Sequence, residues 1–215
     1  MLGVLVSRAD DASVHIGEHL LDIESWTEHT DDSRSDTDGG GTVYRADGVE
    51  LREFGDLHLR LDRPADAFGD IDLLAVASKH AGKTDELLTA HHTGNFGPAD
   101  HGGEDDAVAW ACPNAHARAL DALAEHAPEE YEVGMECTHH GPTEVGVPSM
   151  FVEVGSSQSE WDDPDAARAV AQAILDLRGV APARAPQDGK VGDSHRRHLL
   201  GIGGGDYGPA VSRRR

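Results

Sequence analysis

Cysteine, aromatic residues and basic residues are all scarce in this 215-residue chain. Its two cysteines have no CxxC spacing, which excludes a disulfide framework and a cysteine-based zinc or redox motif. No apolar run approaches the roughly 20 residues that a membrane helix needs, so no membrane contact is expected. Residues 1–7 form an apolar start that is too short for a secretory signal, which indicates a cytoplasmic protein.

Basic side chains are outnumbered throughout most of the chain. Forty acidic residues against 18 basic ones give a net charge of −22. Because the Debye length falls to about 3 Å in molar salt, such self-repulsion is screened there, and the composition is typical of a halophilic protein. Residues 178–215 differ, with eight basic and three acidic side chains. This segment is either a contact for a phosphate backbone or a basic linker and tail, and the sequence leaves both open.

Strand-like and helix-like segments alternate along the chain, which predicts one α/β domain over residues 1–215. We expect a three-layer mixed sheet with helices on both faces. Helices are predicted over residues 11–23, after an N-cap at Asn114, and after a capping box from Ser157 to Glu160. A loop is predicted over residues 30–41 and a mobile linker over 180–195. Strands are predicted over residues 2–6, around 43 and 49, and over 57–61, 71–77, 107–112, 131–138, 150–154 and 199–202.

The richest segment for chemistry reads Glu-Cys-Thr-His-His-Gly-Pro-Thr-Glu over residues 136–144. Alternation along a strand places Glu136, Thr138 and His140 on one face. The Gly-Pro turn that follows leaves His139 and His140 at a strand end, where α/β sheets bind ligands. A carboxylate and two imidazoles there can hold a metal or take a proton from water. The alternative is that a chain with 14 histidines contains an adjacent pair by chance.

Further candidates follow other predicted strands. His80 closes one strand and His91 follows a short apolar run, so both can meet His140 in one cleft at the carboxyl edge of the sheet. Glu153 would lie beside Glu136 if their strands pair, and paired carboxylates suit acid–base work. The alternative for Glu153 is a surface position on an amphipathic strand.

Common catalytic motifs are missing from the sequence. It contains no HExxH, no GxSxG elbow and no Walker loop. The glycine-rich run over residues 201–205 lacks the spacing of a dinucleotide fingerprint, so it is either a tight turn or a backbone nest for an anion.

The order of the motifs nevertheless resembles the archaeal- and plant-type D-aminoacyl-tRNA deacylases. The segments that carry this resemblance are Ala-Ser-Lys-His at 77–80, Leu-Thr-Ala-His at 88–91, Thr-Gly-Asn at 93–95, residues 136–144, 147–156, Ser-Glu-Trp at 159–161 and 200–205. The resemblance implies a hydrolase that cleaves the ester between a D-amino acid and tRNA, zinc as a cofactor, and a fold similar to peptidyl-tRNA hydrolases and nucleoside phosphorylases.

The family motifs also imply roles for individual residues. Metal ligands are expected among His80, His91, His139 and His140, and a bound zinc ion would lower the pKa of a water towards 7. Glu136 or Glu153 would then manage the proton, which makes Glu136, His139, His140 and Glu153 the catalytic candidates. A rival interpretation is that the histidines orient the 2′-hydroxyl of the tRNA while the metal is only structural. Substrate contacts are expected from Thr93, Gly94, Asn95, Gly203, Gly204 and Gly205.

The chain departs from the family pattern near its end. The family continues past the glycines with His-Tyr-Ala-Pro, whereas this chain has Asp206-Tyr-Gly-Pro and stops at Arg215. We therefore expect a domain that is incomplete at its C-terminus. The leading hypothesis is an enzyme that takes D-aminoacyl-tRNA, does not bind DNA and is a monomer. The alternatives are a homologue that binds zinc or tRNA without turnover, and a protein that handles nucleosides as a phosphorylase does.

Overall fold

The structure is a computed structural model and describes residues 1–183. It contains eight strands: β1 Leu2–Ser7, β2 Thr27–Asp31, β3 Asp38–Ala46, β4 Val49–Phe54, β5 Leu73–Ala81, β6 Leu87–His91, β7 Glu132–Met135 and β8 Ser149–Ser156. It contains four α-helices: α1 Asp11–Ile23, α2 Pro113–His126, α3 Gln158–Trp161 and α4 Pro164–Leu175. None of these helices is long and apolar enough to cross a bilayer.

All eight strands join in one mixed sheet with the order β2-β3-β4-β1-β5-β8-β6-β7. The central strands β4, β1, β5 and β8 are parallel to their neighbours within that group. Strand β6 runs antiparallel to β8, and β7 is parallel to β6. The predicted mixed sheet is therefore confirmed. Because β6 is reversed, its carboxyl end at His91 pairs with Phe151 near the start of β8 rather than with the end of β8.

One face of the sheet packs against α1, α2 and α4. Ile16 and Leu20 of α1 are fully buried in this layer, as are Ala119 and Leu123 of α2 and Ile174 of α4. Helix α1 has the predicted bounds because Asp10 caps it, accepting a 3.0 Å hydrogen bond from the backbone N–H of Ser13.

The opposite face of the sheet carries a thinner layer. It consists of loops and two 3-10 helices, His58–Arg60 and Pro64–Ala67, over a small core that includes Phe68 and Phe151. Helical segments thus lie on both faces as predicted, although those on this face are single turns. Because the thin layer does not cover the sheet completely, it leaves room for a cavity beside Phe151.

Several predicted element boundaries are wrong. The predicted strand over 57–61 is instead a 3-10 helix, His58–Arg60, because three alternating leucines fit either conformation. The predicted loop over 30–41 is strand at both ends, since β2 extends to Asp31 and β3 begins at Asp38, and only residues 32–37 form a loop. The glycines of this segment have no side chains, so the alternation of polar and apolar side chains that predicts a strand is absent there. Residues 107–112 contribute only an isolated bridge between Gly94 and Val108. Strand β7 ends at Met135, three residues before the predicted end.

The helix starts are partly as predicted. Asn114 is not the N-cap of α2, because Pro113 occupies the first helical turn and Cys112 is the cap. The capping box from Ser157 to Glu160 is confirmed. The helix that it starts ends at Trp161, and α4 begins separately at Pro164. The predicted strand over 199–202, the glycines at 203–205 and most of the predicted linker lie outside the described residues.

Candidate active site

A cavity of about 240 Å³ lies on the thin side of the sheet. Five of the residues singled out in the sequence line it: His80, Glu136, His139, His140 and Glu153. Side chains from β5 and β8 meet there with others from the loop that follows β7. The cavity is therefore built from segments far apart in sequence, as the motifs predicted.

The register of the strands brings the first set of side chains together. Glu153 of β8 pairs with Ser78 of β5 on one side and with Thr89 of β6 on the other. His91 ends β6 opposite Phe151, two residues before Glu153. Because every second residue points to the same side of a sheet, Thr89, His91, Phe151 and Glu153 share one face. All four are almost completely buried.

The loop after β7 supplies the second set. The backbone N–H of Glu136 still bonds to the carbonyl of Ala90, which holds Glu136 at the end of the strand. His140 has a φ of 42°, in the left-handed region, and the next residue is Gly141. A Cβ at Gly141 would stand 2.4 Å from the backbone of Gly102, so only glycine allows this close approach. The turn aims two consecutive histidines at the same cavity.

Histidines and buried carboxylates are in direct contact. His80 Nδ1 lies 3.1 Å from Glu136 Oε1, and His139 Nε2 lies 3.7 Å from Glu136 Oε2. His91 Nε2 lies 3.4 Å from Glu153 Oε1. We call these five residues, together with His140, the histidine–carboxylate cluster. Each buried carboxylate in the cluster faces at least one histidine, and such pairing is how ionisable groups are tolerated inside a protein.

Phe151 forms the apolar floor of the cluster. Its ring centroid lies 5.4 Å from that of His91 and 5.1 Å from that of His140. The rings of His91 and His139 are 4.4 Å apart, and those of His139 and His140 are 4.3 Å apart. His91 stacks on Phe151, His140 meets the same ring edge-on, and His139 packs against both histidines, so the three imidazoles restrict one another's orientation.

The cluster shifts the pKa values of its members in opposite directions. Burial lowers the pKa of His80 and His91, but contacts with Glu136 and Glu153 outweigh it and the net pKa of both histidines is raised. Burial raises the pKa of Glu136, yet the facing histidines lower it below its usual range. Burial and the neighbouring imidazoles of His91 and His139 lower the pKa of His140 to about 2. The cavity thus combines proton carriers with one imidazole that stays neutral.

Two groups of donor atoms in the histidine–carboxylate cluster have the spacing of a metal site. The nitrogen donors of His91, His139 and His140 lie within 4.8 Å of one another. A second group consists of one ligand atom from each of His80, Glu136 and Glu153, and these atoms also lie within 4.8 Å of one another. The predicted metal ligands therefore fall into both groups, with His80 beside the carboxylates rather than beside the other histidines.

The geometry corrects three details of the expected arrangement. The strands that carry Glu136 and Glu153 do not pair, because β6 lies between them. The cluster also lies on a face of the sheet and not at a single carboxyl edge, since β6 and β7 run opposite to β8. Glu153 is buried, so the alternative of a surface position is wrong. Convergence nevertheless occurs, because His91 and Glu153 point to the same side.

Three of the predicted substrate-binding residues lie within residues 1–183, and each forms hydrogen bonds with the surrounding loops. Thr93 Oγ1 donates a 2.6 Å hydrogen bond to the carbonyl of Pro142. Asn95 Nδ2 donates to the carbonyls of Gly102 and Glu104. The backbone N–H of Gly94 bonds to the carbonyl of His140 at 2.8 Å. These residues hold the loops around the cavity, and their role in substrate binding stays a prediction.

Several residues that line the cavity were not singled out from the sequence, and three of them are in contact with one another. Asp10, His58 and Ser78 line the same space, and His58 Nε2 lies 2.7 Å from Ser78 Oγ. Asp10 was recognisable as a residue that precedes a helix. His58 was hidden because its segment resembled a strand, which removed it from consideration as a site residue.

The fold and the cavity together define an α/β protein with a buried site of histidines and carboxylates, the side chains that hydrolytic enzymes use for proton transfer and metal binding. A family model described as D-aminoacyl-tRNA deacylase matches residues 67–214. The chain belongs to the D-aminoacyl-tRNA deacylase family.

Relatives match the chain over almost its whole length. A D-aminoacyl-tRNA deacylase of Haloarcula marismortui is 62% identical over 213 residues, which cover 99% of this chain and 46% of the relative. One of Halorubrum lacusprofundi is 55% identical and covers 99% and 48%. One of Methanoregula boonei is 36% identical and covers 97% and 42%. The chain thus spans about half the length of the curated relatives it matches. The haloarchaeal relatives agree with the salt-adapted composition.

A solved structure has the same fold. The crystal structure of a protein described as a conserved protein of unknown function is 31% identical to this chain, with a TM-score of 0.75. The match covers 83% of this chain and 63% of the other one.

The position of His80 depends on a glycine in the next strand. A Cβ at Gly155 would stand 2.7 Å from the Cβ of His80, closer than real side chains approach. We predict that Gly155→Ala lowers the free energy of unfolding by about 1–3 kcal/mol, because His80 must shift within a packed site. Urea unfolding in molar salt measures this change. Gly97→Ala is the control, since nothing lies within 4 Å of its added methyl group. Equal unfolding midpoints for both variants would contradict the prediction.

Proposed function

We propose that this chain hydrolyses the ester bond of D-aminoacyl-tRNA, releasing the D-amino acid and free tRNA. The observation that carries the proposal is one cavity in which buried carboxylates face histidines, in a member of this family. Ester hydrolysis requires a proton acceptor for the attacking water and positive charge near the carbonyl oxygen. The cluster offers both kinds of group.

The roles follow from the proton affinities of the side chains. Glu136 has a lowered pKa and Glu153 lies against His91, so each is suited to accept a proton from water. His80 has a raised pKa and lines the cavity, so it is suited to face the negative charge that develops on the carbonyl oxygen. Neutral His140 contributes a lone pair or a single N–H without adding charge.

Zinc fits the donor set of this cavity. Within residues 1–183, His80 Nε2, His91 Nε2 and both carboxylate oxygens of Glu136 are buried without a hydrogen-bond partner. Unpartnered buried nitrogen and oxygen atoms of this kind are the ligands that zinc takes. His91, His139 and His140 would hold the ion, with His80, Glu136 and Glu153 beside it. Bound there, zinc would supply a Lewis acid that activates water near neutral pH.

The size of the cavity restricts what enters it. A volume of about 240 Å³ is smaller than a typical drug-sized pocket of about 300–1,000 Å³. It therefore accommodates the aminoacyl ester, while the body of the tRNA stays outside. Rejection of L-aminoacyl esters requires a wall or a specific hydrogen bond to the amino group, because the enantiomers differ only in the direction of the side chain. If the D side chain points to solvent, amino-acid preference is broad.

A deacylation assay with matched D- and L-aminoacyl-tRNA in molar salt tests the proposal. We predict turnover of the D ester only, and a fall in kcat of about 100-fold or more for Glu136→Gln, because the variant removes the buried charge that faces His80 and His139. Glu132→Gln is the control, since it makes the same change at an exposed residue on the preceding strand. Binding of tRNA without turnover would favour the alternative hypothesis that this chain is a catalytically inactive homologue. Equal rates for both enantiomers would contradict the proposal.

Metal removal tests the zinc part separately. We predict that chelation lowers both activity and the midpoint of thermal unfolding, because a metal that binds only the folded state stabilises it. Adding zinc back restores both, and elemental analysis before and after chelation gives the metal content. Full activity after complete metal removal would rule out a catalytic zinc ion. Restored stability without any change in activity would indicate a structural one.

A further inference from the structure

A second histidine–carboxylate pair lies in the same cavity, apart from the histidine–carboxylate cluster. His58 Nε2 lies 3.3 Å from Asp10 Oδ2 and 2.7 Å from Ser78 Oγ. All three side chains are nearly inaccessible, with His58 only 3% exposed. His58 comes from the thin layer, Asp10 from the start of α1 and Ser78 from β5. The pair therefore joins both layers across the central sheet at the wall of the cavity.

The contacts of His58 determine which of its nitrogens carries hydrogen. An ionised carboxylate only accepts hydrogen bonds, so a nitrogen that faces Asp10 must present an N–H. Burial raises the pKa of Asp10, but its contact with His58 and the hydrogen bond from Ser13 lower it further, and the net pKa is lowered. Asp10 is therefore ionised, and the tautomer of His58 that pairs with it carries its hydrogen on Nε2. In the neutral ring, Nδ1 is then the atom with a free lone pair.

Nδ1 of His58 is the informative atom. It is buried, and nothing in the described part of the chain forms a hydrogen bond with it. Leaving a buried acceptor unpaired costs about 1–3 kcal/mol. His58 lines the cavity, and we infer that a molecule bound there is the partner of this nitrogen.

The supports of the pair are rigid. Asp10 Oδ1 accepts from the backbone N–H of Ser13 at 3.0 Å, and Asp10 Oδ2 accepts from that of Lys79 at 3.3 Å. The ring of His58 packs against Phe151 with centroids 5.0 Å apart. Phe151 also forms the floor beneath His91 and His140, so His58 is held next to the cluster by the same ring. A fixed ring with a fixed tautomer is what general-base catalysis requires.

We propose that His58 is a catalytic residue of the deacylation, with Asp10 as the positioning residue that keeps its proton on Nε2. The proposal rests on the proposed function. In this version of the reaction His58 Nδ1, in place of Glu136 or Glu153, takes a proton from water as the water oxygen bonds to the ester carbonyl carbon, and the two carboxylates orient the histidines that face them. The bond between that carbon and the ribose oxygen then breaks, and the same proton passes from Nδ1 to the ribose oxygen. The products are the D-amino acid and the tRNA hydroxyl, so His58 ends the cycle neutral.

Ser78 does not act as the nucleophile in this arrangement. Its hydroxyl oxygen faces Nε2, the same nitrogen that faces Asp10. A nitrogen that already carries hydrogen cannot take the hydroxyl proton. Ser78 instead accepts from Nε2 and helps Asp10 to hold the ring.

Asp10→Asn is the sharpest variant, because asparagine caps a helix as well as aspartate does. Its amide nitrogen would face Nε2 of His58 and force the proton onto Nδ1, which removes the base. We predict that Asp10→Asn lowers kcat for D-aminoacyl-tRNA about 100-fold or more and leaves KM nearly unchanged. We predict that His58→Gln lowers kcat at least as much. Asp163→Asn is the matched control, since Asp163 caps α4 in the same way and lies outside the cavity. Equal kcat for Asp10→Asn and the control would overturn the proposal.

A second measurement is independent of turnover. The ¹⁵N resonances of labelled histidine distinguish the two tautomers, and the signals lost in His58→Gln identify His58. We predict hydrogen on Nε2 in the 215-residue chain and on Nδ1 in Asp10→Asn, whereas hydrogen on Nδ1 in the unaltered chain would overturn the proposal. If the unaltered chain does not hydrolyse D-aminoacyl-tRNA, the proposed function fails and the catalytic role of His58 fails with it. The tautomer then still decides whether Asp10 positions His58.

Discussion

The site depends on one electrostatic constraint, which is that Glu136 and Glu153 are carboxylates inside the protein. Each is less than 5% exposed, and an isolated charge at such depth is strongly unfavourable. Their closest ionisable neighbours are His80 and His91, whose pKa values are raised in return. The carboxylates therefore determine that histidines must surround them, and the sheet must supply those histidines from several strands.

One face of the sheet packs the large aliphatic core, and the other face carries the candidate active site. Helices α1, α2 and α4 bury a large aliphatic core on one side, which fixes the strands in register. The thin layer on the other side leaves Phe151, Glu153 and His91 beneath a cavity rather than beneath a helix. Reversal of β6 is the structural detail that makes the site, because it brings the end of one strand beside the start of another.

Sequence patterns identified the cluster but not its geometry. Glu153 stands out because it interrupts an apolar strand, the histidines because they end or follow predicted strands, and Glu136 because it shares a strand face with His140. The family motifs contain all six cluster residues. Strand direction leaves no mark on local composition, so the antiparallel β6 could not be predicted. His58 was missed because Leu57, His58 and Leu59 alternate as a strand does, while tertiary packing folds them into a 3-10 turn. Asp10 was not singled out, because its contact with His58 arises only through the tertiary fold.

The most direct test of the account is a double-mutant cycle between His80 and Glu136, measured by urea unfolding in molar salt. The variants are His80→Gln, Glu136→Gln and the two combined. If the buried carboxylate is ionised and depends on the imidazole, the two substitutions are coupled by roughly 1–3 kcal/mol. Additive effects, with a coupling close to zero, would mean that the pair does not hold the site together and would contradict the account.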